Sequence, residues 1–253
     1  MPKDDPTRWL LVTGASRGIG AAVARSAAAA GWDVAVNCVR DTAAAEAVAA
    51  EVRAAGRRAT VLVADVQHEA EVREMFRRLD GEGGRLGGLV NNAGVVDAPQ
   101  RVDEMSGARV QRMFGVNVLG TVWCAREAVR RMSTRHGGAG GAIVNLSSVA
   151  ARLGAPGQYV DYAAAKGAVD VFTLGLAREV ATEGVRVNAV RPGIIDTEIH
   201  ASGGQPDRAR QMAPQVPMQR PGSAAEVAAA VLWLLSDAAS YTTGAILDVG
   251  GGR

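Results

Sequence analysis

Tyr162 and Lys166 are the two residues of this sequence whose types and spacing point most directly to proton transfer. They are four positions apart in DYAAAK, so in a helix they share one face and the ammonium comes within reach of the phenol. A free tyrosine has a pKa of ~10 and is a poor base at neutral pH, but a nearby cation favours the phenolate and lowers that pKa. The spacing therefore predicts a tyrosine that can give and take a proton.

A serine that ends a predicted strand is the expected partner of this pair. Ser148 lies in NLSSV, where its hydroxyl is placed to hold a substrate oxygen against the tyrosine hydroxyl. Its neighbour Ser147 is expected to point to the other face of the strand. Ser148, Tyr162 and Lys166 together form the candidate catalytic set.

A glycine-rich segment, TGASRGIG, directly follows the first predicted strand and opens an alanine-rich helix. Gly14, Gly18 and Gly20 would allow backbone N–H groups to approach a pyrophosphate at the positive end of that helix. After the fourth predicted strand, NNAG at 91–94 has small residues that suit a loop pressed against a cofactor, although such turns also occur without a ligand. The two segments predict a dinucleotide site.

The end of the second predicted strand bears on the choice between NAD and NADP. A carboxylate there would bond the ribose 2′-OH and repel a 2′-phosphate. In VNCVRD that position holds Cys38, with Asn37 before it and Arg40 two residues after it, and Arg17 in the glycine segment adds a second cation. Arginines can clamp a phosphate dianion, although Asp41 lies close by. We expect NADP(H), with NAD(H) as the alternative.

Other polar residues carry weaker assignments. Asp65, after the third predicted strand, could accept from the adenine amino group or cap the next helix, and both interpretations stay open. His68, His136 and His200 lack metal-ligand spacing, so no metal site is expected. His200 remains a candidate for substrate contact.

Short apolar runs alternate with alanine-rich segments of helical period, the pattern of repeated βαβ units. Several of these runs are apolar on both faces, as in a parallel sheet covered by helices on both sides. The pattern predicts a single α/β domain, residues 1–253, with a doubly wound Rossmann-type seven-stranded parallel sheet. The predicted strands are 9–13, 33–37, 60–64, 86–90, 142–147, 185–190 and 245–249.

One long stretch, residues 198–222, reads as irregular and is rich in Pro, Gly, Gln and Arg. Long structureless loops in compact domains are usually functional or disordered, so this stretch is a candidate substrate lid. Its Arg208, Arg210 and Arg220 could meet an acidic carrier or a phosphate, or could simply lie on a solvated helix.

Composition excludes several classes of protein. Hydrophobic residues make up 48% and charged residues 21% of the chain, as in globular proteins, and the net charge of +2 has no basic block of the kind that binds nucleic acid. Cys38 and Cys124 form no disulfide framework, which favours a cytoplasmic setting. The apolar run at 224–235 is too short to cross a bilayer, and the start lacks a secretory signal, so no membrane partner is expected.

Taken together, these motifs resemble the short-chain dehydrogenase/reductase family over essentially the whole chain, in particular its bacterial 3-oxoacyl-thioester reductases and glucose 1-dehydrogenases. TGASRGIG, NNAG, Asn117 in FGVNVLG, the Ser148, Tyr162 and Lys166 set, and PGIIDT at 192–197 carry the resemblance. It implies that Tyr162 is the general acid/base, that Ser148 polarises the carbonyl, and that Lys166 binds the nicotinamide ribose. It also implies that Asn117 holds a water in a proton relay and that Thr197 binds the carboxamide.

From the motifs and the resemblance together, the expected partners are a small carbonyl or alcohol substrate and, in the assembly, a homotetramer or homodimer. Small residues beside Lys166, Gly167 and Ala168, suggest close packing of that helix against a neighbouring copy. The residues expected to contact the cofactor are Gly14, Ser16, Arg17, Gly18, Ile19, Gly20, Asn37, Arg40, Asp65, Val66, Asn92, Ala93, Gly94, Tyr162, Lys166, Pro192, Gly193, Ile195 and Thr197.

One feature departs from the family pattern. Ser148 precedes Tyr162 by fourteen residues, one more than in most members, and the extra residue falls in PGQYVDY. Either the loop bulges and keeps the geometry, or the serine is set differently. We favour a bulge, because Gly154, Pro156 and Gly157 give that loop room to adapt.

Three activities fit this sequence. The first is an NADP(H)-dependent oxidoreductase that acts on a carbonyl or alcohol. The second is an NAD(P)-dependent sugar or polyol dehydrogenase, which the sequence does not separate from the first. The third is a nucleotide-sensing protein without catalysis, which the joint presence of Asn117, Ser148, Tyr162 and Lys166 argues against.

Overall fold

Strands and helices alternate through residues 8–253, the part of the chain that this computed structural model describes. The strands are β1 Arg8–Val12, β2 Asp33–Cys38, β3 Ala59–Val63, β4 Arg85–Asn91, β5 Gly141–Leu146, β6 Val185–Pro192, β7 Ile195–Asp196, β8 Gly222–Ser223 and β9 Ile246–Val249. The helices are α1 Gly18–Ala29, α2 Thr42–Ala54, α3 Glu69–Gly81, α4 Gly107–Phe114, α5 Gly120–Met132, α6 Ala150–Leu153, α7 Val160–Glu179, α8 Ile199–Ser202, α9 Arg208–Met212 and α10 Ala224–Leu235. A π-helical turn, Gly115–Leu119, joins α4 to α5. Five 3₁₀ turns cover Val102–Glu104, Thr134–His136, Ala181–Glu183, Ala213–Gln215 and Asp237–Ala239.

The main sheet has seven strands in the order β3-β2-β1-β4-β5-β6-β9, and every pair in it is parallel. This confirms the predicted seven-stranded, doubly wound α/β fold. The order changes direction at β1, which lies between β2 and β4. In open parallel sheets, ligands bind beyond the carboxyl ends of the strands at such a switch point. The loops after β1 and β4, which contain the glycine segment and NNAG, therefore meet where a ligand is expected.

Side chains alternate across the sheet and build a core on each face. In β1, Leu10 and Val12 belong to the core under α1, α2 and α10, while Trp9 and Leu11 belong to the core under α3, α5 and α7. All four are at most 2% exposed. Strands buried on both faces require two helical layers, which explains the near-continuous apolar runs in the sequence.

Helix ends follow their local sequence. Gly31 and Gly56 lie just beyond α1 and α2 with φ of 88° and 79°, a conformation that other residues adopt at a cost. Ser223 caps α10 in a capping box with Glu226. These ends fix where α1, α2 and α10 meet the sheet.

The stretch at 198–222 is more ordered than the sequence suggested. It contains α8, α9 and a 3₁₀ turn, and its two ends are joined by the short parallel pair β7 and β8, with Ile195 opposite Gly222. The prediction of an irregular stretch is therefore wrong in detail. Five-residue or shorter helices carry too weak a periodicity to be read from sequence.

No helix within residues 8–253 is both long enough and apolar enough to cross a membrane.

Candidate active site

The end of β5 and the start of α7 bring Ser148 and Tyr162 together. Ser148 and Tyr162 lie together in the wall of one cavity, and the serine hydroxyl lowers the pKa of the phenol. The Ser148 oxygen also accepts from the backbone N–H of Ala150 at 3.1 Å, which holds the serine in place. Ser147 is turned away, and its hydroxyl donates to the Lys166 carbonyl at 3.2 Å. The structure therefore assembles the serine and tyrosine as the sequence predicted.

Lys166 lies one helical turn beyond Tyr162 and is 4% exposed. Its Nζ donates to the Leu146 carbonyl at 2.7 Å and lies 5.6 Å from the centre of the Tyr162 ring. Burial lowers the pKa of Lys166 to about 8, although the charge of Asp170 opposes this change. The ammonium is thus held close to the tyrosine without bonding its hydroxyl.

The pKa of Tyr162 corrects one expectation. Burial raises it to about 12, and the Ser148 hydrogen bond, which lowers it, only partly offsets that rise. The sequence predicted a lowered value because of Lys166. The prediction fails because burial penalises the phenolate and the ammonium is bound to the Leu146 carbonyl instead.

The longer loop between Ser148 and Tyr162 turns sharply at its centre. Gly154, Ala155 and Gly157 have positive φ angles of 73°, 45° and 68°. Ala155 is one of two non-glycine residues with positive φ in the described chain, a conformation that costs an L-residue roughly 1–2 kcal/mol. Residues 154–157 therefore turn sharply between Ser148 and Tyr162, both of which still line one cavity, and a bulge that absorbs the extra residue stays the favoured interpretation.

A buried ion pair sits directly beside Tyr162. Arg109 of α4 donates through Nε and Nη2 to the two carboxylate oxygens of Asp161, at 2.8 and 3.2 Å. Asp161 Oδ1 also accepts from the backbone N–H of Tyr162 at 2.9 Å. This pair ties the first turn of α7 to α4. The sequence analysis missed it, because nothing in the local pattern links residues 52 positions apart.

The glycine segment packs directly against NNAG. A Cβ on Gly20 would lie 2.5 Å from Asn92 Nδ2 and 2.6 Å from the Gly14 carbonyl. Asn92 Nδ2 donates to the carbonyls of Thr13 and Gly14 at 2.8 and 2.9 Å. Thr13 Oγ1 accepts from the N–H groups of Asn92 and Ala93, each at 3.0 Å. Thr13 was missed, although its place before Gly14 in the motif was a usable signal.

Asn117 braces the loop that continues from NNAG. Its Nδ2 donates to the carbonyls of Val95 and Met113 at 3.0 and 2.9 Å, and its Oδ1 accepts from the Val95 N–H at 3.2 Å. A Cβ on Gly94 would lie 2.9 Å from Asn117 Oδ1 and 3.6 Å from Lys166 Nζ. Asn117 therefore fixes Gly94 next to Lys166, whereas the water relay implied by the resemblance stays a prediction.

Of the predicted cofactor residues at the end of β2, Asn37 is buried and Arg40 is exposed. Asn37 is 1% exposed, its Oδ1 accepts from the Gly14 N–H at 3.1 Å, and its Nδ2 donates to the Leu62 and Ala64 carbonyls at 3.0 Å. In this structure Asn37 supports the glycine segment, and its assignment as a cofactor contact stays a prediction. Both of its polar atoms are used inside the protein, as burial requires.

Arg40 is exposed, and within residues 8–253 its side chain has no hydrogen bond or ion pair. Asp41, which complicated the choice of cofactor, accepts from the Ala44 N–H at 3.0 Å as the cap of α2. Arg17 is also exposed, at the N-terminus of α1. Both arginines are thus exposed, and their contact with a ribose 2′-phosphate stays a prediction.

Asp65 and Val66 form a turn after β3. The Asp65 carboxylate accepts from the backbone N–H and Nε2 of Gln67 at 3.1 and 2.7 Å, while His68 takes the cap position of α3. The Val66 side chain is 2% exposed and packs where a Cβ on Gly120 would otherwise lie, 2.6 Å away. Asp65 thus stabilises the turn rather than capping the helix directly.

Ser148, Tyr162 and Lys166 line one cavity of about 410 Å³. A Cβ on Gly18 would lie 3.5 Å from Thr197 Cβ, so the loop after β6 packs against the glycine segment. The predicted cofactor residues in the cavity wall are Ile19, Asn92, Gly94, Tyr162, Lys166, Pro192, Gly193, Ile195 and Thr197. Those outside it are Gly14, Ser16, Arg17, Gly18, Gly20, Asn37, Arg40, Asp65, Val66 and Ala93.

The residues present fit a nicotinamide dinucleotide. The N-terminus of α1 has no side-chain cap and no acidic residue in its own first turn, which suits a phosphate, although a Cβ on Gly18 would lie 3.6 Å from the Glu198 carboxylate. Gly14 and Gly18 have φ of 60° and 56°, which shapes a close-approach loop at that point. Within the described chain no group of three His, Cys, Asp or Glu residues could hold a metal ion.

Comparison with known proteins gives a consistent result. A family model described as Enoyl-(Acyl carrier protein) reductase matches residues 14–253. The chain is 52% identical to the uncharacterized oxidoreductase YgfF of Escherichia coli (strain K12) over 243 residues, 96% of this chain and 98% of that protein. It is 37% identical to the 3-oxoacyl-(acyl-carrier-protein) reductase FabG of Staphylococcus aureus (strain Mu50) over 97% of this chain and 98% of that protein. A short chain dehydrogenase from Burkholderia cenocepacia J2315, in complex with NADP, superposes with a TM-score of 0.88 at 34% identity and covers 96% of each chain.

Proposed function

The chain belongs to the short-chain dehydrogenase/reductase family of oxidoreductases, and from this premise we propose that it transfers a hydride between NADP(H) and a carbonyl or alcohol substrate, with Tyr162 as general acid/base. The observation that carries the proposal is the placement of Ser148, Tyr162 and Lys166 together in the wall of one cavity. A serine hydroxyl, a phenol and an ammonium at one cavity wall are suited to polarise and protonate a carbonyl oxygen.

When bound, the nicotinamide supplies or accepts the hydride. In reduction, Ser148 holds the carbonyl oxygen and Tyr162 gives it a proton as the hydride reaches the carbonyl carbon, so one hydride and one proton convert the carbonyl to an alcohol. In oxidation, Tyr162 takes the hydroxyl proton back. Lys166 stabilises negative charge on the phenol oxygen, and Asn117 supports Lys166 through Gly94. Burial raises the pKa of Tyr162, so the phenol carries its proton at neutral pH and can donate it.

NADP(H) is the proposed cofactor over NAD(H). Arg40 and Arg17 are exposed beside the end of β2, and Asp41 is engaged as a helix cap. The NADP complex of the Burkholderia cenocepacia protein supports a nicotinamide dinucleotide for the family. Arginine is suited to a phosphate dianion because its planar group offers two parallel N–H bonds.

Further features complete the proposal. Residues 198–222 act as a substrate lid within a single domain, since Arg208 and Met212 of this segment lie in the cavity wall. The protein works in the cytoplasm as a homotetramer or homodimer on a small-molecule substrate.

The test is a titration of the purified protein with NADPH and NADH by nicotinamide fluorescence, followed by NADPH oxidation with ketones, 3-oxoacyl thioesters, quinones and sugars. The proposal predicts tight NADPH binding and turnover of one carbonyl class. Turnover only of sugars with NADP⁺ would favour a sugar or polyol dehydrogenase. Binding without turnover in either direction would favour a nucleotide sensor, and failure to bind either nucleotide would contradict the whole proposal.

A further inference from the structure

The three arginines of the lid segment, residues 198–222, have different environments. Arg220 pairs with the carboxylate of Glu226 at 2.6 Å, so its charge is neutralised. Arg210 is exposed on α9. Arg208, two residues earlier on the same helix, is half-buried and lies in the cavity wall. Only Arg208 of these three therefore faces the space that contains Tyr162.

Arg208 is held in place entirely by neutral groups. Its Nη1 donates to Gln205 Oε1 and its Nη2 to Gln158 Oε1, both at 2.8 Å. The guanidinium also lies over the Tyr159 ring, 5.1 Å from its centre, and the Tyr159 hydroxyl donates to Gln205 Oε1 at 2.7 Å. Within residues 8–253 no carboxylate pairs with Arg208. The side chain is thus fixed in position while its positive charge is left uncompensated.

The described cavity wall contains no acidic residue that would offset the charge of Arg208. Its charged side chains are Lys166, Arg208 and Arg253. Lys166 is already assigned to the reaction, and the cations proposed for the ribose phosphate, Arg17 and Arg40, lie outside the wall. A fixed, unpaired guanidinium in a partly desolvated cavity favours binding of an anion over a neutral group of similar shape.

We propose that Arg208 forms an anion subsite and that the substrate carries a carboxylate or phosphate as well as the carbonyl or alcohol group. This inference rests on the proposed function and adds its substrate class. Tyr159, under the guanidinium, is three residues before Tyr162, so the anion and the reacting carbon lie at the same end of α7. The cavity of about 410 Å³ has room for part of the nicotinamide and a small oxo acid, hydroxy acid or phosphate ester, so compact substrates are the ones to test first.

A purely structural role for Arg208, as a link between the lid and Gln158, is the competing explanation. It predicts that loss of Arg208 affects charged and neutral substrates alike. The anion subsite instead predicts a loss specific to charged substrates, because only these contact the guanidinium. Matched pairs of substrates separate the two explanations.

The experiment compares levulinate with methyl levulinate, and dihydroxyacetone phosphate with dihydroxyacetone. For each, kcat/KM is measured with NADPH, and Kd is measured by calorimetry on the protein saturated with NADP⁺. The variants are Arg208→Gln, which removes the charge, Arg208→Lys, which keeps it, and Arg210→Gln, the exposed control on the same helix. The carboxylate and phosphate pairs show which anion the site prefers.

We expect the wild type to favour the charged member of at least one pair. Arg208→Gln should remove that preference with a loss of about 10- to 100-fold for the charged member, the range of a hydrogen bond to a charged group. Arg208→Lys should retain part of it, and Arg210→Gln should leave it unchanged. Equal binding of both members by the wild type, or equal losses in Arg208→Gln, would overturn the inference. Because Kd is read without turnover, absence of NADPH oxidation would count against the proposed function and leave this test of Arg208 intact.

Discussion

At the scale of single residues, burial moves the pKa values of Tyr162 and Lys166 in opposite directions. Burial disfavours the charged form of each group, so it raises the pKa of the phenol to about 12 and lowers that of the ammonium to about 8. At neutral pH both groups still carry their protons. This is the state in which Tyr162 can donate to a carbonyl oxygen and Lys166 can stabilise the charge left behind.

The first prediction concerns pH. Of the two groups, Lys166 has the lower pKa, about 8, and so loses its proton first as pH rises. The proposed mechanism needs its charge near the phenol oxygen once Tyr162 has given up its proton. Since kcat/KM reports the ionisations of the free protein, NADPH-dependent reduction should be flat below pH 7 and fall as pH rises through about 8. A pH profile with a neutral ketone checks this. A profile that stays flat well above that pH would contradict the assignment to Lys166.

The second prediction concerns the choice of cofactor. Arg40→Ala should weaken NADPH by about 10- to 100-fold and leave NADH almost unchanged, because only NADPH carries the 2′-phosphate. Fluorescence titration of one variant with both nucleotides makes NADH the internal control. Equal weakening of the two would show that Arg40 does not read the phosphate.

Residue types and local spacing were enough to predict the Ser148, Tyr162 and Lys166 set, because the two α7 residues are one helical turn apart. They were not enough for Arg109, which reaches Asp161 across 52 positions, or for the pKa of Tyr162, which depends on burial. The contacts of Asn37 could not be predicted from local spacing either. Its position at the end of β2 was readable, but its hydrogen bonds to two other segments were not.

At the scale of elements, two loops at the switch point of the sheet hold each other in place. Asn92, in the loop after β4, donates two hydrogen bonds to Thr13, in the loop after β1, and Gly20 leaves room for the Asn92 amide. The glycines of the segment therefore serve the packing of the two loops as well as the approach of a phosphate. The sequence pattern predicted both loops but not this contact.

The third prediction tests that contact. Gly20→Ala should lower the free energy of unfolding by roughly 1–3 kcal/mol and weaken NADPH binding, because the new Cβ overlaps Asn92 and the Gly14 carbonyl. Gly81→Ala in α3 is the matched control, since nothing lies within 4 Å of its Cβ and its φ is not positive. That variant should be stabilised by about 0.5–1 kcal/mol. Denaturant unfolding and NADPH titration measure both, and equal effects of the two substitutions would contradict the packing role.

The residue types in a loop predicted its conformation better than its length did. The extra residue before Tyr162 was visible in the sequence, and the glycines around it indicated a bulge, where Ala155 has a positive φ. The lid segment, by contrast, contains elements of five residues or fewer, whose periodicity is too short to read. The two ends of this segment are held together by the pairing of β7 with β8.

At the scale of the whole molecule, α7 presents an apolar stripe to the outside. Val171 is 70% exposed and Leu174 is 36% exposed, and with Gly167 they are spaced four and three residues apart on one side of the helix. This stripe lies on the same helix as Tyr162 and Lys166. It suits close packing against the same helix of a second copy.

The fourth prediction is that the protein sediments as a dimer or tetramer. Val171→Glu should shift it to a smaller species, because a charge placed in an apolar contact is costly to bury. Val102→Glu is the control, since Val102 is equally exposed, at 69%, but lies on a separate 3₁₀ turn. A monomeric wild type, or the same shift in both variants, would contradict an α7 interface.

The most direct test of the central claim is Tyr162→Phe. This change removes the hydroxyl that Ser148 bonds and leaves the glycine segment, NNAG and Lys166 in place. NADPH should bind this variant with nearly wild-type affinity, while reduction of the best carbonyl substrate should fall by about 100-fold or more, the usual contribution of a positioned general acid. Turnover within tenfold of the wild type would contradict Tyr162 as the proton donor.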